Sequence, residues 1–293
     1  MQILKMKRMK VMKTNYTPAL IFSVLAIIFT SCLPDSLEVK SIESAPAQIV
    51  VTSSVLPDTS IAILVTRSIG ALEAGSDTDI QTLVKEIAIN DANVTITTQG
   101  QTYELILMQD GVYQSLGIPI VPGNEYSLEV SCPAYGKVTA KTIVQPRVNF
   151  DTVKADVWNN GYNTYLAQVA YSITDPTSEN YYMINVQGAA RASLIANMVN
   201  PDAYTRFFDD KPFNGDNYSE IFRAAPKNYY RGDSIAVSIS TLTRDYYDYL
   251  KVRVQNRMGL VEVFSEPVTY PTNVNGGRGF FTLHLPDVKV MVL

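Results

Sequence analysis

QIVVTSSVLPDTSIAILVTRSI, residues 48–69, decides the fold class. Its apolar residues fall into two short runs rich in Val, Ile and Thr, and the turn residues Pro57 and Asp58 separate them. Such runs are typical of half-buried strands. The pattern recurs in NVTITTQG (93–100), TYELILM (102–108), NEYSLEVSC (124–132) and KVTAKTIV (137–144). About seven strands in roughly 100 residues predict an immunoglobulin-like or fibronectin-like β-sandwich over residues 47–146.

The segment LEAGSDTDIQTLVKE, residues 72–86, interrupts this strand rhythm. It is polar and acidic with a few spaced apolar positions, so we expect a long loop that can include a helical turn. Rigid sandwiches often carry binding residues on long loops, but a solvated insertion is the commoner explanation.

A second domain follows the strand rhythm, which ends at Val144. Because proline cannot join a central ladder, we place the hinge at Gln145-Pro146-Arg147. Residues 147–293 contain most of the 18 tyrosines and the single tryptophan. They include the strand-like segments YLAQVAYSIT (165–174) and NYYMINVQ (180–187). The sequence predicts a second β-rich domain of α+β type over residues 147–293.

One main helix is predicted in that domain, near residues 242–257. Thr241 or Thr243 can cap its N-terminus. Apolar residues recur there every fourth position and form one face: Leu242, Tyr246, Leu250 and Val254.

The N-terminus carries an export signal. Five basic residues precede an apolar run from Ala19 to Phe29. At roughly 11 residues this run is too short to cross a hydrocarbon core of about 30 Å as a helix. Thr30-Ser31-Cys32 resembles the cleavage site of bacterial lipoproteins, whose cysteine carries lipid. We predict a signal peptide at 1–31, lipid on Cys32 and a lipid-anchored linker at 32–46; an ordinary secretory peptide is the alternative.

Composition narrows the possible partners. Removing residues 1–31 leaves 19 Lys and Arg against 28 Asp and Glu, a formal charge of about −9. An acidic surface repels phosphate backbones, so we expect no nucleic-acid partner. With Cys32 lipidated, Cys132 is the only other cysteine, and its alternating context predicts a small buried side chain.

The sequence offers no catalytic constellation. The single histidine, His284, lies in the alternating string FFTLHLPD, where a packed or edge residue is far commoner than a general base. One histidine and one free cysteine cannot supply the usual zinc ligands. Paired carboxylates for glycoside hydrolysis cannot be recognised without their separation in space. We expect a non-enzymatic protein with no metal and no cofactor.

The acidic segment FFDDKPFNGDNYSE, residues 207–220, contains oxygen ligands of the kind that calcium needs. The EF-hand register fails, because Pro212 and Ile221 occupy the third and twelfth positions counted from Asp210. We favour an acidic loop with a tight turn at Asn214-Gly215.

Two further motifs are open to a binding role. Tyrosine rings offer an apolar face with a polar tip, which suits sugars or peptides, although tyrosine is also ordinary β-core material. We hypothesise ligand contact by the exposed members of two pairs: Tyr181, Tyr182, Tyr229 and Tyr230. The glycine-rich TNVNGGRGFF (272–281) lacks the lysine of a phosphate loop and predicts a bulge or tight corner.

Several strings, in this order, resemble the landmarks of the domain of unknown function 4249 (DUF4249) family. The likeness spans nearly all of the chain after Cys32. The strings are ANVTI (92–96) followed by a turn glycine, DGVY (110–113), PGNEYSLEV (122–130), ITDPTSENYY (173–182), RDYYDYL (244–250) and FSEPVTYPTNVNGGRGFF (264–281).

The resemblance implies an outer-membrane lipoprotein of Gram-negative bacteria, of a family often encoded beside TonB-dependent transporters. It implies no activity, since none is established for the family. We therefore expect a non-enzymatic accessory lipoprotein, held in the outer membrane through Cys32, that captures or delivers a ligand for a TonB-dependent transporter. A structural or assembly lipoprotein without a ligand is the main alternative, and a surface hydrolase ranks lowest. The leaflet that the protein faces stays open.

Overall fold

The computed structural model describes residues 46–56, 60–69, 80–115, 117–159, 161–189, 204–225, 228–258 and 270–293. The predicted signal peptide (1–31), Cys32 and almost all of the linker (32–46) lie outside these residues. Within the described ranges, no helix is long and apolar enough to cross a membrane.

The described residues form seventeen strands and two helices. The strands of the first half are β1 (Ile49–Val55), β2 (Ile61–Arg67), β3 (Asn93–Thr98), β4 (Gln101–Glu104), β5 (Ile106–Gln109), β6 (Val112–Ser115), β7 (Glu125–Cys132) and β8 (Gly136–Ile143). Those of the second half are β9 (Thr152–Asn159), β10 (Tyr165–Thr174), β11 (Tyr181–Gly188), β12 (Tyr204–Asp209), β13 (Asn217–Ala224), β14 (Ser234–Leu242), β15 (Val274–Asn275), β16 (Arg278–Phe280) and β17 (Asp287–Val292). The helices are α1 (Ile80–Ile87) and α2 (Arg244–Met258).

The first sandwich consists of two five-stranded sheets that share one hydrophobic core. Sheet A has the order β16-β1-β2-β6-β5, and sheet B has the order β15-β8-β7-β3-β4. The core is mostly aliphatic because alternate residues of each strand point inward, as in β7, where Tyr126, Leu128, Val130 and Cys132 are buried. Cys132 is a free, buried thiol, as the sequence predicts.

The segment TYELILM differs from its prediction as a single strand. Leu105 is buried and its N–H donates to the carbonyl of Val94 at 2.9 Å, which breaks the segment into β4 and β5. β4 pairs with β3 in sheet B, whereas β5 pairs with β6 at the edge of sheet A. Strands that switch between packed sheets do so at a bulge or bend, and Leu105 lies at this one with its side chain in the first core.

The C-terminal segment lies within the range predicted for the second domain, 147–293, but its strands pair with strands of the first sandwich. β15 pairs with β8, and β16 pairs in parallel with β1. Apolar residues alternate in FFTLHL, and this explains the position of the segment, because Phe281 and Leu283 are buried in the first core. The residues between β15 and β16 form the tight corner expected from the glycine-rich motif, and Gly276 there has a φ of 82°.

The second sandwich consists of a three-stranded and a four-stranded sheet. Sheet C has the order β13-β10-β9, and sheet D has the order β12-β11-β14-β17. Their shared core contains aromatic rings alongside the aliphatic residues, and Tyr171, Tyr182, Phe213, Phe222 and Tyr229 are among its buried members. β10 has the bounds predicted for it, and β11 differs by one residue at each end.

Helix α2 is the predicted main helix. Thr243 caps it, since its Oγ1 accepts from the N–H of Tyr246 at 3.4 Å. Tyr247 and Leu250 pack against Tyr181 and Met183 of β11. The chain is mainly β, with an immunoglobulin-like sandwich, a second β-rich sandwich and one main helix, and this confirms the predicted fold class.

Asp287 ties the hinge to the second sandwich. Its buried carboxylate pairs with Arg147 at 3.1 Å and with Lys289 at 3.1 Å, and it accepts from the N–H of Phe150 at 3.0 Å. The residues after Pro146 are therefore held against β17.

Candidate functional site

A cleft lies on the outer face of sheet D, and alternation in β11 builds its floor. One set of β11 side chains, which includes Tyr182 and Ile184, points into the second core. The opposite set points outward into the cleft and consists of Met183, Asn185 and Gln187. A two-residue period therefore divides one strand between core and cleft.

A single row of side chains crosses the sheet at the middle of this floor. Asn185 of β11 is in register with Thr205 of β12 and with Ser238 of β14. Ser238 is in turn in register with Val288 of β17. The hydroxyl of Thr205 donates to Oδ1 of Asn185 at 2.8 Å, which fixes the orientation of the amide.

Two other elements wall the cleft. Helix α2 contributes Tyr246, Leu250 and Arg253, and β1 contributes its last residues, from Thr52 to Val55. The end of β1 is held by Ser53, whose Oγ accepts from the N–H of Thr282 at 2.7 Å and donates to its carbonyl at 2.8 Å. The cleft thus lies where the first sandwich meets the second.

The cleft is small and polar. Its volume is about 190 Å³, which is the liquid volume of roughly six water molecules at about 30 Å³ each. Hydroxyl and amide groups from four strands, β1, β11, β12 and β14, converge on it. Sites with a few convergent polar groups suit small ligands, and drug-sized pockets of about 300–1,000 Å³ are larger.

Arg253 is the only charged side chain among the described residues that line the cleft. Burial raises the pKa of the neighbouring Tyr246 to about 12, and the charge of Arg253 opposes that rise. The Tyr246 hydroxyl is therefore neutral at pH 7. Electrostatically, the cleft favours a neutral or anionic molecule over a cationic one.

His284 lies on the cleft wall in a neutral state. Desolvation by burial lowers its pKa to about 4. Its Nδ1 is 2.9 Å from the Oγ of Ser240, which is itself buried. A catalytic triad also needs a carboxylate that orients the histidine. In the part of the chain that the structure describes, no carboxylate contacts His284, and the nearby Asp287 is engaged by Arg147 and Lys289.

The four predicted ligand-binding tyrosines lie apart from the cleft lining. Tyr181 packs on Tyr247 of α2 with ring centroids 4.8 Å apart. Tyr182 and Tyr229 are buried in the second core. Only Tyr230 of the four is exposed, and its ring contacts that of Tyr165. The hypothesis of ligand contact by exposed pair members therefore applies to Tyr230 alone.

The acidic segment at 207–220 divides into separate environments. Glu220 lies on β13, where Oε2 accepts from Nε of Arg206 at 3.0 Å. Asp216 is exposed, whereas Asp210 is buried. Among the described residues, no group of three or more His, Cys, Asp or Glu side chains lies together as a metal site.

Sequence reasoning missed most of the cleft residues. The string NYYMINVQ showed which residues share a face, but not that α2 and β1 would cover the polar face. Arg253 appeared only as part of a helix, and His284 only as a packed or edge residue. The sequence signal for the cleft was the alternation of polar and apolar residues in NYYMINVQ, which forms a central strand of sheet D.

The sequence matches the family described as "Domain of unknown function (DUF4249)" over residues 35–287. This match covers most of the chain, so the chain belongs to the DUF4249 family. No curated protein matches the sequence.

The likeness to one solved structure is distant. This is a crystal structure of the selenomethionine-substituted interferon gamma receptor alpha chain from chicken. It is 11% identical, the alignment covers 69% of this chain and 90% of the receptor chain, and the TM-score is 0.17. The strand pairing of the chain itself, and not this likeness, defines its fold.

Proposed function

We propose that this chain is a non-enzymatic lipoprotein, anchored in the outer membrane through Cys32, that captures a small polar ligand for a TonB-dependent transporter. The observation that carries the proposal is the cleft between α2, β1 and sheet D. It combines a concave shape, ordered amide and hydroxyl groups and a single positive charge.

The lining defines the chemical class of the ligand. A guanidinium pairs most strongly with a carboxylate or phosphate group. The amides of Asn185 and Gln187 and the hydroxyl of Ser238 suit hydroxyl or amide groups on the same molecule. The ligand is therefore a small metabolite with one anionic group and several hydrogen-bonding groups.

The anchor and the partner are supported by the sequence and by family analogy. The basic segment, the short apolar run and Cys32 support export and lipidation. Members of this family are often encoded beside TonB-dependent transporters, which supports the choice of partner as an analogy and not as chemistry.

Binding is tested by thermal shift against a panel of small carboxylates and sugar phosphates. We expect at least one compound to raise the melting temperature of the wild-type chain. Arg253→Gln should weaken that binding about tenfold or more, because a hydrogen bond to a charged group is lost. Arg231→Gln removes the same charge outside the cleft lining and is the matched control. A panel without any binder, or equal effects of both variants, would favour the structural alternative.

Anchor and partnership need separate measurements. Cys32→Ala should abolish labelling with a fatty-acid probe and release the protein from the membrane fraction. The tagged wild-type protein should co-purify, in mild detergent, with the transporter encoded beside it. Purification alone, together with unchanged uptake in a deletion strain, would contradict the accessory role.

A further inference from the structure

An apolar stripe continues the floor of the cleft along β17, the last strand of sheet D. Val288 lines the cleft. Val290 and Val292 lie on the same face of the strand as Val288, because side chains two positions apart in a strand point the same way. The register of β17 with β14 is regular over these residues, so no bulge turns their side chains away. The stripe, defined as Val288, Val290 and Val292, therefore leads out of the cleft.

The stripe adjoins the cleft lining directly. Val290 is in register with Ala236 of β14, which lines the cleft, and Ala236 is in register with Gln187 of β11, another lining residue. Val292 lies one further pair along the same strand. From Val288 to Val292 the strand extends about 13 Å, at roughly 3.3 Å per residue. The stripe thus begins inside the cleft and ends outside it.

The two outer valines are unusually open to solvent for apolar residues of a sheet. Val290 is 67% exposed and Val292 is 66% exposed. Single exposed apolar residues are normal on a protein surface, but these two neighbour each other on one face and border a polar cleft. A molecule bound in the cleft can cover them by extending along β17.

The cleft and the stripe differ in chemistry. The cleft contains ordered amide and hydroxyl groups, and Arg253 provides the only charge among its described lining residues. Its volume of about 190 Å³ suits a small polar group and is less than drug-sized molecules need. The stripe outside it offers only valine side chains. A molecule complementary to both has a polar, anionic end and an apolar end.

We propose that the ligand is an amphiphile whose anionic head group occupies the cleft and whose apolar chain lies along the stripe; this rests on the proposed function. A carboxylate on the head group pairs with the guanidinium of Arg253. An amide beside that carboxylate meets the amide of Asn185 and the hydroxyl of Ser238. The chain removes the apolar surface of Val290 and Val292 from water.

The test compares two compounds with the same head group and different chains, N-acetylglycine and N-octanoylglycine. Each supplies one carboxylate and one amide. Calorimetric titration of the full chain with each compound gives the two dissociation constants. Each fully buried CH₂ group tightens binding about fourfold. Because a chain on an open stripe is covered on one side only, we expect N-octanoylglycine to bind about tenfold more tightly in total.

Replacing the outer valines should remove this dependence on chain length. In the double variant Val290→Ser and Val292→Ser, the two dissociation constants should differ by about twofold or less. Ile221→Ser is the matched control, because Ile221 is also 67% exposed but lies on β13 in sheet C. It should keep the wild-type ratio. Melting curves would establish that both variants are folded. A wild-type ratio in the double variant, or an equal decrease in Ile221→Ser, would overturn the proposal.

The outcomes separate this proposal from the proposed function. Equal dissociation constants of the two compounds for the wild-type chain would overturn the amphiphile and leave capture of a polar ligand standing. Val290 and Val292 would then be a contact surface for a protein. Binding of hydrophilic carboxylates or sugar phosphates alone would overturn it in the same way. Failure of the two compounds and of the whole panel to bind would contradict both proposals.

Discussion

The two sandwiches solve the same packing problem with different chemistry. The first has an aliphatic core, and its buried polar residues within the described ranges are hydroxyl-bearing: Ser60, Thr66, Thr98, Thr142 and Thr282. The second mixes aromatic rings with buried carboxylates at Asp175, Asp210 and Asp287. Close packing of apolar side chains therefore holds the first sandwich together, whereas the second also contains buried carboxylates that need partners. The stability of the first sandwich should therefore be sensitive to changes of side-chain shape, and that of the second to changes of charge.

Gly279→Ala should have the largest effect, because it tests close packing in the first sandwich. A Cβ at Gly279 would lie 1.9 Å from the carbonyl oxygen of Val51, and the φ of Gly279 is 100°. We expect a loss of roughly 3 kcal/mol or more in the free energy of unfolding, or failure to fold. Denaturant unfolding measures this loss.

Gly123→Ala is its control. Gly123 also has a positive φ, of 83°, but a Cβ there would meet nothing within 4 Å. Its cost should be only about 1–2 kcal/mol, the strain of a left-handed conformation. Equal losses in both variants would show that contact with β1 is unimportant.

Asp287→Ala tests charge in the second sandwich and comes next. It removes the buried acceptor for Arg147, Lys289 and the N–H of Phe150. Arg147 and Lys289 are each about half exposed, so most of the loss should come from the buried N–H of Phe150, and we expect roughly 2–3 kcal/mol. The exposed Asp156→Ala should cost well under about 1 kcal/mol. A loss for Asp287→Ala as small as that of Asp156→Ala would remove charge as the distinguishing feature of the second sandwich.

The junction between the sandwiches should be sensitive to acid through His284. Its pKa is lowered to about 4 in the folded chain, against about 6.5 when unfolded. On acidification the unfolded chain therefore takes up the proton before the folded chain does. The stability that neutral His284 contributes is present above about pH 6.5 and is lost as the pH falls towards about 4.

The desolvated His284 can contribute at most about 3.4 kcal/mol to this pH dependence of stability. His284→Gln should flatten this part of the pH profile, measured by denaturant unfolding between about pH 4 and 7. Parallel profiles for the wild-type chain and the variant would contradict the account of a desolvated histidine.

The smallest losses of stability are expected for Glu220→Gln in the second sandwich and Glu125→Gln in the first, each of which neutralises one carboxylate. Glu220→Gln weakens the pairing with Arg206 and the hydrogen bond from Tyr171, which are partly buried, so we expect a loss of about 1–2 kcal/mol. Glu125→Gln weakens the exposed pair with Lys141 and should cost at most about 0.5 kcal/mol. Melting curves of both variants in low and high salt give the difference. A larger loss for Glu125→Gln would reverse the comparison.

Local patterns predicted much of the fold. Alternation located β10 and β11, and turn residues bounded most strands of the first sandwich, because both signals depend on neighbouring residues. The split of TYELILM at Leu105 and the pairing of β16 with β1 depend on contacts across the chain. Val50 and Arg278 are partners in register although 228 positions apart, and no local pattern encodes such a pairing.

The candidate site was less predictable than the fold for the same reason. Tyrosine pairs give no local sign of burial, so Tyr182 and Tyr229 were equal candidates to the exposed Tyr230. The cleft exists only after α2, β1 and sheet D come together, which no local pattern shows. Each site residue was visible in the sequence, but its neighbours were not.

The proposal that the protein acts through its cleft can be tested by filling the cleft in living cells. A deletion strain would be supplied with the wild-type chain, Ser238→Trp or Ser219→Trp, and its growth would be measured on the nutrient of the transporter proposed as the partner. Ser238 lines the cleft, whereas Ser219 is exposed on β13. Membrane fractionation and melting curves would establish that both variants are anchored and folded. If the protein acts through its cleft, Ser219→Trp should restore growth and Ser238→Trp should not. Full restoration of growth by Ser238→Trp would contradict a role for the cleft.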